Sequence, residues 1–278
     1  MSTIRRLPPE NPHVISFRGP DAVRFLNGQV TQDVSDLGQR TLRSCITDAK
    51  GRLQFFVDLC MGPDDSHWVV CPAAHCEGLH ERLERYLIAD DVEVEDLGGS
   101  WWRVHASAPD AGNGAEFSRS AVGCFGDGVD SWWKAKPILD SLDPAEAEDL
   151  RIAARIPSMG HELEAGLLPP EAGLDRNAIS YSKGCYIGQE VLSRIKSAGK
   201  INRRLAAFDL NGEASAGDAL LADSKEVGVL TSIARTVAPG DPRPALGYLK
   251  KAAYEHPAFT VSDTDGNPKG SATRTAWA

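Results

Sequence analysis

The chain has 278 residues, of which 42% are hydrophobic and 25% charged, a composition typical of ordinary globular proteins. Its length suits two or three compact units, since domains commonly contain about 100–150 residues. No segment approaches the roughly 20 consecutive apolar residues of a membrane helix, and the first ten residues lack a signal-peptide core. We therefore expect a cytoplasmic protein without a membrane partner, and the net charge of −9 argues against general nucleic-acid binding.

The first half of the chain predicts a sheet with two helices. Gly19-Pro20-Asp21 opens a short helix that Gly28 closes, because proline suits the first helical position. Apolar residues that recur at helical spacing predict a second helix over residues 73–88. The predicted strands cover Leu53–Cys60, His67–Cys71, the segment around Val92 and Val94, and Trp101–Val104. Strands combined with such helices indicate an α+β layer.

The second half predicts turns, one helix and then a β-rich end. Residues 107–131 are rich in glycine, alanine and serine, which predicts strands joined by turns. An Asp-Pro-Ala-Glu capping box at residues 143–146 starts a helix that is expected to run to about Ala154. Beyond Arg203, apolar runs separated by turn residues predict a small barrel with strands over Leu205–Leu210, Val227–Val237, Ala245–Leu249 and Phe259–Ser262.

One stretch departs from the overall acidity. Residues 183–204 contain six basic side chains and one acidic side chain. Such a patch could bind a polyanion such as an RNA backbone. A solvated helix face followed by a linker explains the same pattern equally well.

The six cysteines are scattered, without the close pairs or regular spacing of a disulfide framework, so free thiols are expected. A zinc site is disfavoured where His67, Cys71, His75, Cys76 and His80 lie close in sequence. On a helix, His75 and His80 would diverge by about 140° and could not converge on one ion. Cys185 could form a nucleophilic pair with His161 or His105, but nothing in the sequence brings those groups together.

The segment Tyr181–Glu190 carries the most specific pattern in the chain. Its thiol, Cys185, lies between Gly184 and Gly188, and glycines at this spacing let the backbone take positive φ and approach a ligand. Lys183 precedes the thiol by two residues, and a nearby cation favours the reactive thiolate. A tight turn around a small buried cysteine is the alternative.

Residues 183–190 resemble the K-G-C-[FY]-x-G-Q-E signature of the YgfZ family at eight consecutive positions. That family contains folate-binding proteins of iron–sulfur cluster assembly and repair, and it is related to the glycine-cleavage T-protein, an aminomethyltransferase. Five further segments resemble motifs of the same group. They are Phe25–Val34, Thr47–Arg52, the pattern from Arg151 to Leu163 (with Arg155 where glycine is usual), Pro170–Leu174 and Gly228–Ser232.

The resemblance implies an α+β fold in the three-domain arrangement of the T-protein, with a ferredoxin-like part and a C-terminal β-barrel around a central opening. The expected first domain is discontinuous, comprises residues 1–45 and 137–202, and binds folate. A ferredoxin-like insertion is expected over residues 46–136, and the barrel over residues 203–278.

The resemblance also implies binding of tetrahydrofolate or a one-carbon-loaded folate. Glu171 matches the T-protein glutamate that accepts hydrogen bonds from the pterin edge, a task that suits a bidentate carboxylate. The other expected contacts are Tyr186 as a stacking ring, with Tyr181 as a second candidate, and Gly184, Gly188, Gln189 and Glu190; no metal ligand is expected. The alternatives are a surface acid in a proline turn for Glu171 and core packing for the tyrosines.

One departure from the T-protein separates a binding protein from an enzyme. Phe55 and Phe56 stand where the T-protein carries an aspartate pair, and phenylalanine cannot shuttle a proton. Asp58 lies two residues further on, so a shifted register stays open. The sequence therefore predicts that the chain does not transfer aminomethyl groups.

The resulting hypothesis is a folate-binding accessory protein that supports the assembly or repair of iron–sulfur enzymes. Cys185 is its expected functional thiol, with Lys183 beside it, and its expected partners are folate and iron–sulfur client proteins or assembly factors. Enzymes that thiolate tRNA are among the candidate clients. The alternative is a tetrahydrofolate-dependent aminomethyltransferase or demethylase, and direct RNA binding is disfavoured by the acidity of the chain.

Overall fold

A computed structural model describes residues 3–35, 37–110, 114–235 and 240–276. Contacts between Cα atoms divide the chain into two compact units. The first unit comprises Met1–Pro144, Ala165–Pro169 and Leu174–Arg194. The second comprises Ala145–Glu164, Pro170–Gly173 and Ile195–Ala278.

A five-stranded antiparallel sheet forms the main layer of the first unit. Its strands are β1 (His13–Arg18), β2 (Leu42–Thr47), β3 (Leu53–Met61), β4 (His67–Cys71) and β5 (Glu93–Gly98), in the order β2-β3-β4-β1-β5. Helices α1 (Ala22–Gln29) and α2 (Leu79–Glu84) belong to the same hydrophobic core as the sheet. Each fully buried aliphatic or aromatic side chain in such a core contributes about 1.5–3 kcal/mol through the hydrophobic effect.

A smaller sheet completes the first unit. Its strands are β6 (Trp102–Ala106), β7 (Phe117–Gly123) and β8 (Gly126–Trp133), in the order β6-β8-β7. Trp68 of the larger sheet packs against Trp101, Phe117 and Trp132, with ring centroids 5.0, 5.3 and 5.4 Å away. This aromatic cluster joins the two sheets, because large rings bury much apolar area in edge-to-face contact.

The C-terminal part of the second unit is a closed six-stranded barrel. Its strands are β9 (Arg203–Gly212), β10 (Ala219–Ala222), β11 (Lys225–Ile233), β12 (Arg243–Lys250), β13 (Ala258–Ser262) and β14 (Pro268–Thr275), in the order β10-β11-β12-β9-β14-β13. Its core contains Phe208, Leu249, Phe259 and Val261. Helices α3 (Pro144–Ala153) and α4 (Gln189–Ala198) precede the barrel in the chain.

Several predicted elements are confirmed. The first helix, the strands at 53–60 and 67–71, and the helix that follows the capping box appear within a few residues of their expected bounds. The α+β class and the C-terminal barrel are also confirmed, and the barrel begins at Arg203 as expected. Alternation and turn chemistry are local signals, which explains why they located these elements.

Other predictions need correction. The helix expected over 73–88 is wrong in extent, because Gly78 takes a φ of +76° and only Leu79–Glu84 is α-helical. Strands β10 and β14 were not predicted, since β10 has four residues and β14 is largely polar. Residues 236–237 of the strand predicted over Val227–Val237, and residues 111–113 of the turn-rich segment, lie outside the described residues.

The three-domain division stays a prediction. Its boundary between residues 45 and 46 falls within β2, and strands from both sides of that boundary pair in one sheet. Within the described ranges, no helix is both long and apolar enough to cross a membrane.

Candidate functional site

Glu171 is a partly enclosed carboxylate of the second unit. It lies in the 3₁₀ turn Pro169–Ala172, and its side chain is only 11% exposed. The Nε atom of Arg203 donates a hydrogen bond to its Oε2 atom over 3.0 Å. Burial argues against the alternative that Glu171 is a freely solvated acid in a proline turn.

Arg203, at the start of β9, has three partners in the same unit. Besides Glu171, its Nη2 atom donates to Glu164 Oε1 over 3.3 Å. Its guanidinium carbon lies 4.8 Å from the centre of the Tyr248 ring, a cation–π distance. Partial burial acts to lower the pKa of Arg203, but its hydrogen bonds to Glu171 and Glu164 prevail and raise it. Arg203 is therefore a cation in contact with Glu171.

A second buried carboxylate in this unit joins two of the sequence motifs. The side chain of Glu162 is fully buried, and Arg151 Nη1 donates to its Oε2 atom over 2.8 Å. Thr231 and Ser232 donate their hydroxyl hydrogens to its Oε1 atom over 2.9 and 2.5 Å. The backbone N–H of Ser158 supplies another hydrogen bond over 3.1 Å. With its hydrogen-bonding capacity so satisfied, Glu162 is a structural anchor.

In the first unit, the loop that carries Cys185 is held by hydrogen bonds at Ile187, two residues after the thiol. The backbone N–H of Ile187 donates to Gly28 O over 3.2 Å, and Thr47 Oγ1 donates to Ile187 O over 2.6 Å. Gly188 has a φ of +88°, and a Cβ atom there would lie 2.6 Å from Asp48 O. Only glycine meets both conditions without strain.

The expectation for the other glycine of the motif was wrong. Gly184 does not take a positive φ, and a Cβ atom at this position would meet nothing within 4 Å. Gly184 and Cys185 are both exposed. The loop therefore presents the thiol to solvent from an anchored backbone.

Lys183 is one of these anchors. Its Nζ atom donates to Val30 O over 2.8 Å and to Gln32 O over 2.7 Å, two carbonyls of the loop after α1. Burial lowers the pKa of Lys183 to about 8, although nearby Asp33 opposes the shift. The structure thus gives Lys183 a positioning role, while its effect on the Cys185 thiolate stays a prediction.

The lowered pKa of Lys183 makes stability depend on pH. An unfolded chain with the ordinary value of 10.5 binds more protons than the folded chain between pH 8 and 10.5. Wild type should therefore gain stability relative to Lys183→Met as pH rises through this window, as measured by urea unfolding. Lys200→Met, at an exposed position, is the control, and a stability difference that stays constant with pH for Lys183→Met would contradict the assignment.

The remaining residues of the motif differ in exposure. Tyr186 is 7% exposed and packs with Ile179 and Leu192, which favours the core alternative over a stacking role. Gln189 Nε2 donates to Gly184 O over 3.5 Å and so lies over the Cys185 turn. Glu190 forms a surface ion pair with Arg194. Tyr181 packs beside the Tyr186 cluster.

The cysteines differ sharply from one another. All six lie in the described ranges, and Cys185 is the only exposed one among them. Burial raises the pKa of the Cys45, Cys60 and Cys71 thiols to about 12, which makes them unreactive. Cys185 is thus the accessible thiol of the part of the chain that the structure describes.

The described residues give little support to a metal-binding cluster or to a nucleophilic pair of Cys185 with a histidine. The described residues contain no group of three or more histidine, cysteine, aspartate or glutamate side chains that could hold a metal ion. Of the two candidate partners of Cys185, His105 is buried, and its Nδ1 atom lies 2.8 Å from Asp130 Oδ1. His161 lies in the second unit, whereas Cys185 lies in the first.

The resemblance places two phenylalanines where the T-protein carries its aspartate pair. Phe55 and Phe56 lie on β3 and pair with Ile46 and Cys45 of β2. Asp58, the residue that could have replaced them, accepts a hydrogen bond from Arg103 Nη1 over 2.6 Å. Its charge is thereby neutralised by a structural ion pair.

Three residues of the second unit were not singled out by the sequence. Arg203 was counted only as part of a basic stretch, and Glu162 only as a motif position. Tyr248 had no sequence signal, although its hydroxyl group donates to Glu162 O over 2.8 Å and its ring supports Arg203.

Comparison with known proteins gives a consistent group of relatives. No family model matches the chain. A mitochondrial iron–sulfur cluster assembly factor IBA57 homolog of Neurospora crassa is 27% identical over 234 residues, 73% of this chain and 53% of the relative. The tRNA-modifying protein YgfZ of Aliivibrio fischeri is 28% identical over 239 residues, 74% of this chain and 72% of the relative. The chain thus spans about half the length of the Neurospora protein.

Aminomethyltransferases are similar in both sequence and fold. The aminomethyltransferase of Rubrobacter xylanophilus is 25% identical over 284 residues, 87% of this chain and 73% of the relative. The solved structure of glycine cleavage system aminomethyltransferase T from Bartonella henselae matches with a TM-score of 0.79 and 16% identity, over 99% of this chain and 86% of that one. The structural match confirms the expected fold.

Proposed function

Since the chain belongs to the family of YgfZ and IBA57 proteins, which is related to the T-protein, we propose that it binds a reduced folate and supports iron–sulfur enzymes. Its proposed partners are iron–sulfur client proteins or assembly factors, and enzymes that thiolate tRNA are among the proposed clients. A cytoplasmic location stays a prediction, because the IBA57 relatives carry mitochondrial names.

The observation that carries the folate proposal is the partly enclosed, cation-paired carboxylate of Glu171. The pterin edge of a folate offers two adjacent N–H donors, which suit an acceptor with two oxygens. Arg203 Nε contacts Oε2 only, and each carboxylate oxygen has two lone pairs. Glu171 therefore keeps acceptor capacity on both oxygens. Tetrahydrofolate would supply a carrier for one-carbon units.

The proposed functional thiol is Cys185. Its exposure and the anchored loop around it suit a group that must reach a client protein or a transferred atom. Lys183 supports this role by tying the loop to Val30 and Gln32. Gly184, Gly188, Gln189 and Glu190 stay proposed contacts of the folate or the client, and Tyr186 is proposed as a supporting core residue of the loop.

The proposal excludes aminomethyl transfer. A transferase needs a carboxylate near the reacting nitrogen to move a proton. Phe55 and Phe56 provide none, and the Arg103 ion pair occupies Asp58. These placements favour a binding protein over the aminomethyltransferase or demethylase alternative.

Replacement of Glu171 by glutamine tests the folate site. The amide offers one acceptor and one donor, so one pterin N–H would face another donor. Hydrogen bonds to a charged group contribute about 1.5–3 kcal/mol, so affinity for tetrahydrofolate should fall roughly 10- to 100-fold. Isothermal calorimetry under reducing conditions measures this change.

Glu255→Gln is the matched control, because Glu255 is an exposed glutamate of the same unit. It should bind tetrahydrofolate as wild type does. Equal affinities of wild type and Glu171→Gln would remove Glu171 from the site. Failure of wild type to bind would refute the folate proposal itself.

A further inference from the structure

Ile187 is the residue at which the loop of Cys185 meets two other elements of the first unit. Its backbone N–H donates to Gly28 O over 3.2 Å, and its carbonyl accepts from Thr47 Oγ1 over 2.6 Å. Gly28 lies in the last turn of α1, and Thr47 is the last residue of β2. The position of the thiol therefore depends on how the ends of α1 and β2 are placed relative to each other.

One buried side chain of α2 contacts both of these ends. Arg82, which is 7% exposed, donates from Nη1 to Gln29 Oε1 over 3.0 Å and from Nη2 to Thr47 O over 3.2 Å. Gln29 is the last residue of α1 and directly follows Gly28. The Nε atom of the same arginine donates to Gln54 Oε1 of β3 over 2.7 Å. A single guanidinium group thus joins α2 to α1, β2 and β3.

Thr47 and Gln54 also flank the turn that packs on the thiol loop. A Cβ atom at Gly188 would lie 2.9 Å from Gly51 Cα, so the turn and the loop touch through their backbones. Two backbones approach this closely only where neither residue carries a side chain. Because Arg82 holds both strands at the base of this turn, it fixes the turn as well as the end of α1.

Arg82 differs from most buried cations in that its three acceptors are all neutral. Burial lowers the pKa of its guanidinium group, and the Tyr86 ring, 4.5 Å from the guanidinium carbon, supplies a cation–π contact. A buried charge without a countercharge costs free energy, and an apolar side chain of similar volume avoids that cost. The planar fork of an arginine can, however, hold several acceptors at once in fixed directions. The contacts of Arg82 use this shape.

We propose that Arg82 is a positioning residue for Cys185: its guanidinium group sets the relative placement of α1, β2 and β3, which together hold the loop that presents the thiol. This inference rests on the proposed role of the thiol and adds to it a buried residue outside the sequence motifs. Loss of Arg82 should therefore impair the function of a thiol that is itself intact.

Hydrogen-exchange mass spectrometry of a peptide that contains residues 183–190 measures how often the loop opens. Arg82→Met keeps an unbranched side chain but removes the three hydrogen bonds, so this peptide should exchange roughly tenfold faster than in wild type. A peptide from β4, the central strand of the sheet, should change much less. In cells that lack the protein, Arg82→Met should lose most of the cluster-enzyme activity that wild type restores.

Arg119→Met is the matched control, at a second buried arginine of the same unit. Arg119 is 8% exposed and also donates to neutral acceptors, among them Met61 O over 2.9 Å and Gln39 Oε1 over 3.0 Å. It lies on β7 of the smaller sheet, so its loss should lower stability without changing exchange at residues 183–190 or complementation. Arg82→Lys keeps the charge but cannot bind three acceptors in one plane, so its exchange should be intermediate.

Wild-type exchange of the 183–190 peptide in folded Arg82→Met would overturn the inference, and so would equal acceleration in Arg119→Met. Faster exchange with full complementation would also overturn it, because the placement of the loop would then not matter for function. If Arg82→Met does not fold, faster exchange in Arg82→Lys would support the inference and a wild-type rate would overturn it. Full complementation by Cys185→Ser would instead refute the proposed role of the thiol, and the exchange rates would still test the placement of the loop.

Discussion

The Cys185→Ser variant is expected not to restore iron–sulfur enzyme activity in cells that lack this protein. The purified variant is expected to stay folded. Serine cannot supply a thiolate, so any chemistry or client contact that needs sulfur is removed. The side chain is exposed, and surface substitutions usually change the free energy of unfolding by less than about 0.5 kcal/mol. Complementation measured by the activity of cluster enzymes, with thermal melting beside it, tests the expectation.

Cys124→Ser is the matched control for this experiment. Cys124 is only partly exposed, and burial raises the pKa of its thiol, so it is not expected to take part in sulfur chemistry. It should complement fully. Full complementation by Cys185→Ser would show that the thiol is dispensable, and Cys185→Ala would then be expected to behave in the same way.

The largest effect on stability is expected for Glu162→Gln. This replacement should lower the free energy of unfolding of the protein by about 3–5 kcal/mol. The change leaves Arg151 without its buried countercharge and replaces one acceptor oxygen by a donor that faces existing donors. Arg151, Thr231 and Ser232 all donate to this carboxylate. Urea unfolding measured at pH 7 gives the difference.

Glu164→Gln is the control, two residues away in the same segment. Its side chain is 70% exposed, so its ion pair with Arg203 should contribute about 0–1 kcal/mol. Equal stability losses in the two variants would show that the Glu162 network contributes no more than a surface pair. That outcome would contradict the structural role assigned to Glu162.

The sequence predicted the helices, strands and motif that depend on short-range patterns. The capping box at 143–146 predicted the start of α3, and alternating apolar residues predicted β3, β4 and most of the barrel. The motif at 183–190 directed attention to Cys185, the cysteine that is exposed in the structure. These signals are local, because periodicity, caps and turn residues act within a few positions of the chain.

The tertiary structure decided the partners of the motif residues. Lys183 was expected to act on the neighbouring thiol, yet its amine binds the carbonyls of Val30 and Gln32, about 150 residues away in sequence. Tyr186 was expected to stack on a ligand, yet its ring is buried. No pattern within the motif encodes these contacts, because they arise only when α1 and its following loop pack beside the motif.

What the sequence by itself determined is the inventory of the chain: its α+β class, its C-terminal barrel, its one distinctive thiol and the carboxylate Glu171. Only the tertiary structure decided which side chains bind the buried carboxylates. Glu171 lies 32 positions from Arg203, and Glu162 lies 70 positions from Ser232, yet each pair is in hydrogen-bond contact. Local sequence patterns cannot encode these contacts, because folding brings each carboxylate its hydrogen-bond donors from a distant part of the chain.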